Sequence, residues 1–271
     1  MDQFAISVDE RKLPLMKVIS ETLRFISEKA MAKLSEQVGK VVKTKVRWVL
    51  TVPALWSEEH KQFMRKACIE GGIIDDLSSQ NLLLCLEPEG ASIQCREDSD
   101  ETLKAQLVKD SVVMVLDCGG GTVDITIHKL KCDVGDRFLC EELLPSDGGS
   151  EWGSKYVDRY FESFLEDFFG PELYEVYRKS EIQRLEILKH FEMLKRKFNP
   201  GVDERSRLQL SYMGEELSAG KLKELVAAFN QGKSDTIKPR GASSIDLPSD
   251  LMKSFFLPLL DKIKAKVVEL V

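Results

Sequence analysis

The stretch Val115-Leu116-Asp117-Cys118-Gly119-Gly120-Gly121-Thr122-Val123-Asp124 limits what this chain can fold into more than any other. An apolar, β-branched run, SVVMVLD, leads into it and reads as a buried strand. Beyond the glycines, Val123, Ile125 and Ile127 alternate with Asp124, Thr126 and His128. That is a period of two, so a second strand leaves the turn rather than a helix. Successive glycines strip the turn of Cβ atoms and let backbone N–H groups approach an anion closely. Neither G-x-x-x-x-G-K-[ST] nor G-x-G-x-x-G occurs, motifs that set a helix N-terminus against a phosphate. What remains is a β-hairpin whose Gly-rich tip can cradle phosphates, with a plain Gly-rich turn as the competing reading. Asp117, ending the incoming strand, is placed to hold a hydrated divalent cation or to accept a proton from an attacking water. The Thr122 hydroxyl is placed to hydrogen-bond a phosphate.

The segments around the hairpin read as an α/β protein. Residues 13–38 form a helix, with Leu15, Val18, Ile19, Phe25, Ile26 and Leu34 as its apolar positions and Gly39 near its C-cap. Buried strands follow at 46–52, stopped by Pro53, and at 81–86, stopped at Glu87-Pro88. A helix capped by Ser57 and ended by Gly71-Gly72 separates them, and a short helix follows Pro88. Strand, helix, strand, helix implies a sheet with helices packed on it. Residues 96–110 are polar and read as a surface connection, and 138–144 as a further strand. A second Gly-rich bend runs from Pro145 to Ser154. Its Gly153-Ser154 pair is either an anion contact and hinge or an ordinary loop and N-cap. Helices are expected at 154–169, 180–199 and 218–230, with a strand at 206–212 and an extended piece within 231–250. The last helix contains Pro258 and is expected to kink or start late there.

Two more groups of residues are candidates for chemistry. Glu87 stands at the C-terminal edge of a strand, where open α/β sheets place ligands, although a helix-start acid is the commoner meaning of such a residue. Its pairing with Asp117 across neighbouring strands singles it out. Glu192, Lys195 and Asn199 share one face of the 180–199 helix at i, i+3 and i+7 and can grip a polar ligand. On helical spacing alone, an ordinary solvated face with a Glu–Lys pair is the commoner meaning of these residues.

Composition removes other classes. The chain has 271 residues, a net charge of −6 and 43% hydrophobic residues, which fits a globular protein near the size at which one core divides into two. The acidic balance argues against nucleic acid as the main partner. No apolar run approaches a membrane span, and the N-terminus lacks a signal pattern. The six cysteines contain no C-x-x-C pair and sit mostly in apolar runs, so they read as reduced, buried thiols of a cytosolic protein. The three histidines, His60, His128 and His190, make no metal spacing.

VRWVLTVPALW, LEPEGAS, VLDCGGGTVDITI and FEMLKRKFN, in this order and at these separations, resemble the ATPase domain of the seventy-kilodalton heat-shock chaperones, above all their divergent twelfth subfamily. The resemblance covers nearly the whole chain. It implies an actin-like ATPase (ribonuclease H-like) fold of α/β class, with residues 1–110 as an incomplete lobe I and 111–271 as most of lobe II. Within lobe II it implies a phosphate hairpin at 111–130 and a helical adenosine-side subdomain at about 153–245. It implies ATP or ADP with Mg²⁺ as cofactors. Asp117 would be the magnesium and water-orienting acid, acting through water, and Glu87 its partner at the attacking water. Gly119, Gly120, Gly121 and Thr122 would hold the β- and γ-phosphates, and Thr122 counts with Asp117 and Glu87 among the catalytic residues. Gly153 and Ser154 fall where the family has a Gly-Gly pair near the nucleotide. Glu192, Lys195 and Asn199 match the adenosine-clasping residues, the last usually a Ser. Pro53 matches the proline of the family's switch, and Lys61 stands where typical members carry an arginine.

The departures from the family also carry expectations. Leu86-Glu87-Pro88-Glu89 replaces the usual Asn-Glu-Pro-Thr, and the added acid should weaken anion binding or alter its metal dependence. The family's first phosphate hairpin, Asp-x-Gly-Thr-Thr, and the lysine after it have no counterpart. One preorganised oxyanion contact is worth about 2.7–4 kcal/mol, so the chain is expected to be a fragment that alone binds nucleotide weakly and hydrolyses little. The resemblance implies a chaperone or signalling role with co-chaperones or client proteins as partners, no nucleic acid and no membrane span, in the cytoplasm or also the nucleus. A catalytically inactive actin-fold interaction module is the alternative, and a sugar kinase-like phosphotransferase a more distant one.

Overall fold

The structure is a computed structural model and describes residues 4–6, 11–133, 139–149, 151–234 and 236–271, the backbone alone at 145–149. Phe138, expected in a strand, and Ser150, expected in the second Gly-rich bend, lie outside the described residues. By its internal contacts the chain groups into two units, Met1–Asp117 with Asp124–Asp147 and Cys118–Val123 with Gly148–Val271.

The first unit opens with β1 (Phe4–Ile6) paired antiparallel to β2 (Lys12–Pro14). Because Lys12–Pro14 is drawn into this pair, α1 (Leu15–Val38) starts at Leu15 instead of residue 13. It stops at Gly39 (φ +83°), whose N–H donates to the Ser35 carbonyl at 3.0 Å. The side of α1 that packs inward is small: Ser20 and Ser27 are buried, while Phe25 and Ile26, expected to face the core, are exposed. The reason is close approach. A Cβ on Gly71, just past α2 (Glu58–Glu70), would lie 2.7 Å from the Ser20 carbonyl oxygen.

β3 (Trp48–Val52) and β4 (Leu82–Leu86) pair in parallel with Val49 opposite Leu83. One face of the pair packs on Cys68, Ile73 and Ile74 with Leu23 and Ile69. The other is open, with Val49 61% and Leu83 45% exposed. The expectation of fully buried strands is corrected here, since among the described residues helices cover one face only. α3 (Glu87–Asp98) begins directly after β4 and α4 (Glu101–Lys104) follows it, so part of the expected surface connection at 96–110 is helical.

β5 (Val112–Cys118), β6 (Val123–Leu130) and β7 (Cys140–Gly149) form a sheet in that order. The sharp turn between β5 and β6 confirms that strands both enter and leave the glycines. Central β6 is buried on both faces, with Asp124, Thr126 and His128 as inaccessible as Val123 and Ile125. β7 runs on to Gly149 through residues expected to bend, because ladder pairing requires only backbone groups. Of the six cysteines only Cys68 and Cys132 are buried; Cys95 and Cys118 are exposed, against the expectation of buried thiols. Cys118 lies on the outward side at the hairpin mouth, where alternation turns it away from the sheet's covered face.

The second unit is built on α5 (Lys155–Lys179), which is interrupted at Gly170 (φ +71°) just before Pro171. α6 (Glu181–Lys197), β8 (Ser206–Gln209), a 3₁₀ segment at Ser211–Leu217 and α7 (Ala219–Asn230) follow. β9 (Lys238–Arg240) and β10 (Ser244–Leu247) complete a three-stranded antiparallel sheet with β10 in the middle. α8 (Ser249–Leu270) runs through Pro258 without the expected late start. Proline strips the carbonyl of Ser254 of its helical donor, and Ser254 is exposed, so the lost bond falls on the solvent side of the helix. Phe161, Phe164, Leu165 and Phe168 fall at i, i+3, i+4 and i+7 on α5 and are all buried. Phe161 stacks on Phe191 of α6 at 3.8 Å and meets Phe255 of α8 edge-on at 5.9 Å. No helix among the described residues is long and apolar enough to cross a membrane. Truncating Phe161→Ala removes the ring that joins three helices and should lower stability by about 3–5 kcal/mol, read as a fall in the urea midpoint.

Candidate functional site

The Gly-rich turn is closed by the Gly119 N–H donating to the Thr122 carbonyl at 3.0 Å. The start of α5 docks on it. The Ser154 N–H donates to the Gly119 carbonyl at 3.1 Å and the Lys155 N–H to the Gly120 carbonyl at 3.0 Å. Gly153 makes this docking possible: a Cβ there would lie 2.4 Å from the Gly121 carbonyl carbon and 2.6 Å from the Gly120 carbonyl oxygen. No side chain fits, so Gly153 is glycine for space. The hairpin glycines differ in kind. None of Gly119, Gly120 and Gly121 has positive φ, so backbone conformation does not demand glycine there. A Cβ on Gly120 would meet nothing within 4 Å. The space that Gly120 leaves is open, and the Gly120 and Gly121 amides make no backbone hydrogen bond among the described residues. Open amides beside open space form a cradle for an anion.

A cluster of acids lies in the first unit. Glu87 is the first residue of α3, so it is both the strand-edge acid and the helix-start acid of the two sequence readings. The helix dipole there favours a charged carboxylate. Burial, and after it the charges of Asp117 and Asp124, outweigh the dipole and push the Glu87 carboxyl above its ordinary range. The structure thus brings Glu87 and Asp117 within electrostatic reach and adds Asp124, 3% exposed. Sequence reasoning gave Asp124 no role; its signal was an acid at an inward position of a central strand. Among the described residues no three His, Cys, Asp or Glu side chains converge as a metal site.

The helix residues separate. Lys195 is bound by Asp158 at 2.8 Å and Glu192 at 2.6 Å, with its side chain only 10% exposed. Burial works against its charge, but the hydrogen bonds to Asp158 and Glu192 prevail and hold its pKa above the usual lysine value. Glu192 also accepts from Arg196 at 2.7 Å. Asn199 lies past the end of α6, correcting the expected helix of 180–199, and its Oδ1 accepts the Gly201 N–H at 2.9 Å. Glu192 lines a groove of about 620 Å³ with Asp158, His190 and Tyr212, whereas Asn199 lines another of about 810 Å³ with Arg205, Arg207 and Asp246. The three residues are therefore not presented as one face. Pro53 follows β3 directly, and Lys61 on α2 pairs with Glu58 at 2.7 Å.

The chain is a mixed α/β protein with a strand–glycine–strand turn whose open amides can meet an anion. No family model matches the chain. It is 26% identical to human (Homo sapiens) heat shock 70 kDa protein 12A over 315 aligned positions, 97% of this chain and 46% of that protein. It is 30% identical to human heat shock 70 kDa protein 12B over 223 positions, 64% of this chain and 32% of that protein. A shorter match, 30% identical over 111 positions, 41% of this chain and 15% of that protein, is to the chaperone protein DnaK of Mycoplasma mycoides. The chain is thus similar to heat shock 70 kDa protein 12A over nearly its whole length and to heat shock 70 kDa protein 12B over a shorter stretch. It spans about half the length of the curated 12A relatives it matches.

The raised Glu87 carboxyl has a consequence for stability. Between the ordinary glutamate pKa and the higher folded value, the native state keeps a proton that the unfolded chain has released. Stability therefore declines as pH rises through that window. Glu87→Gln should gain in melting temperature relative to the parent as pH rises from 4 to 7, because only the parent loses stability as its carboxyl ionises; thermal denaturation at the two pH values checks this.

Proposed function

We infer that this chain is an ATP-binding domain of heat-shock chaperone type, taking ATP or ADP with Mg²⁺ on an actin-like framework. The observation that carries the reading is the open space at Gly120 beside amides that make no backbone hydrogen bond among the described residues, in a chain similar to proteins named heat shock 70 kDa protein 12A and 12B. The residues present suit the group within each unit: in the second a cradle that a Cβ at Gly120 would enter and a hydroxyl at Thr122, in the first carboxylates at Asp117, Glu87 and Asp124. In this reading Gly119, Gly120, Gly121 and Thr122 hold the β- and γ-phosphates, with Gly153 and Ser154 fixing the hairpin. Asp117 orients the water shell of the cation and Glu87 the attacking water, and Mg²⁺ when bound supplies charge neutralisation to the phosphates. The residues 111–130 form the phosphate element and about 153–245 the adenosine side, with Glu192, Lys195 and Asn199 as its polar contacts. A cytoplasmic role, coupling nucleotide to chaperone or signalling partners, belongs to the same reading and rests on the family resemblance of the sequence motifs.

Phosphoryl transfer requires charge neutralisation and positioning around the whole phosphate chain. The sequence holds one phosphate hairpin of this kind, so the chain alone is proposed to bind more than it hydrolyses. A second reading, an interaction module without catalysis, is favoured by the engagement of Lys195 in two ion pairs and of Asn199 in its own turn. Calorimetry with Mg-ATP and Mg-ADP separates the two. Micromolar or weaker binding, lost in Asp117→Asn, is expected; absence of binding at millimolar nucleotide sinks the ATP reading and leaves the module.

The two kinds of glycine give a sharper test. Gly120→Ala should fold like the parent and lose nucleotide affinity, because its methyl enters open space. Gly153→Ala should lower the melting temperature, because its methyl meets the hairpin backbone. Equal behaviour of the two variants in both measurements would contradict the assignment.

A further inference from the structure

Lys155 is the first residue of a helix and is electrostatically misplaced there, since its positive charge faces the positive end of the helix dipole. Nothing in its own helix compensates. Asp158, three residues on, is held by Lys195 at 2.8 Å. Arg159, four residues on, has the same sign and lies 4.4 Å over the Tyr156 ring. Among the described residues Lys155 makes no ion pair, and its ammonium has only the Tyr156 ring, 5.2 Å from the centroid. It is aimed elsewhere. The Lys155 Nζ stands 3.6 Å from the point a Cβ on Gly121 would occupy. The backbone N–H of Lys155 is itself bound to the Gly120 carbonyl, so the stem of the side chain is fixed to the turn it overhangs. A cation with no carboxylate, set against its helix dipole and held beside free amides, breaks a local rule that an anion would restore.

We propose that Lys155 is a phosphate-binding residue of the Gly-rich hairpin, supplying its ammonium to the terminal phosphates of a nucleoside triphosphate. The proposal rests on the nucleotide reading above and deepens it, because it makes the site selective for polyphosphate. Lysine serves such a site as a point charge with rotatable donors, so geometry is undemanding and arginine can substitute in part. The charge matters more than the shape.

The test titrates the full chain with Mg-ATP, Mg-tripolyphosphate and adenosine. Lys155→Met should weaken the two phosphate ligands by about tenfold or more, the effect of losing a hydrogen bond to a charged group, and leave adenosine unaffected. It should also flatten the salt dependence of phosphate binding and melt no lower than the parent, while Lys155→Arg retains most of the affinity. Unchanged affinity of Lys155→Met for both phosphate ligands overturns the proposal, as does an equal loss for adenosine, which marks a structural role. If the parent binds neither Mg-ATP nor tripolyphosphate, the nucleotide reading falls and Lys155 with it; if the parent binds and Lys155→Met binds equally, only the lysine assignment falls.

Discussion

The contact between the backbone of Gly153 and that of Gly120 and Gly121 is the constraint on which the second unit's site depends. Atoms approach there more closely than any Cβ permits, so one missing side chain sets the distance from hairpin to helix. Two hydrogen bonds, from the Ser154 and Lys155 amides to the Gly119 and Gly120 carbonyls, then fix the orientation. The same helix carries Phe161, Phe164, Leu165 and Phe168 into the aromatic core. The turn is thereby anchored through one rigid element to the best-packed part of its unit, which is what preorganised amides require.

The first unit presents the opposite electrostatic problem. Asp124 is inaccessible, Asp117 lies two residues before the glycines, and Glu87 is driven toward its neutral form by burial and by those two charges. Packing alone does not explain three acids within reach of one another, since apolar residues would fill the same volume at lower cost. Such an arrangement fits cation chemistry. Glu87 is the carboxyl that burial and its two acidic neighbours push above its ordinary range.

The hairpin was legible because its information is local: alternation at a period of two on one side of the glycines and a β-branched run on the other. α7 was legible for the same reason, with Ser218 accepting the Lys221 N–H as the first-turn pattern suggests. What failed depends on neighbours. Val49 and Leu83 have strand propensity, but propensity says nothing about which face is covered. Phe25 and Ile26 fit an apolar stripe, yet the helix turns its serines inward because Gly71 draws α2 close. The spacing of Asn199 counts only in a helix that reaches it, and α6 ends at Lys197. Lys195 was visible as a partner of Glu192, but its second partner, Asp158, comes from α5 and has no sequence signal. The roles proposed for Glu192, Lys195 and Asn199 were supplied by the family resemblance, and periodicity alone did not distinguish them from a solvated face.

The open face of the β3–β4 pair has a practical bearing. Val49 and Leu83 sit opposite each other in register and both meet solvent, whereas parallel strands are ordinarily covered on both sides. A bare ribbon of this kind is a nucleus for clumping. Mutual repulsion from a net charge of −6 opposes that encounter. Concentrated brine shortens the reach of that repulsion and should turn clear preparations of this polypeptide cloudy, which makes dilute buffer the right medium for handling it.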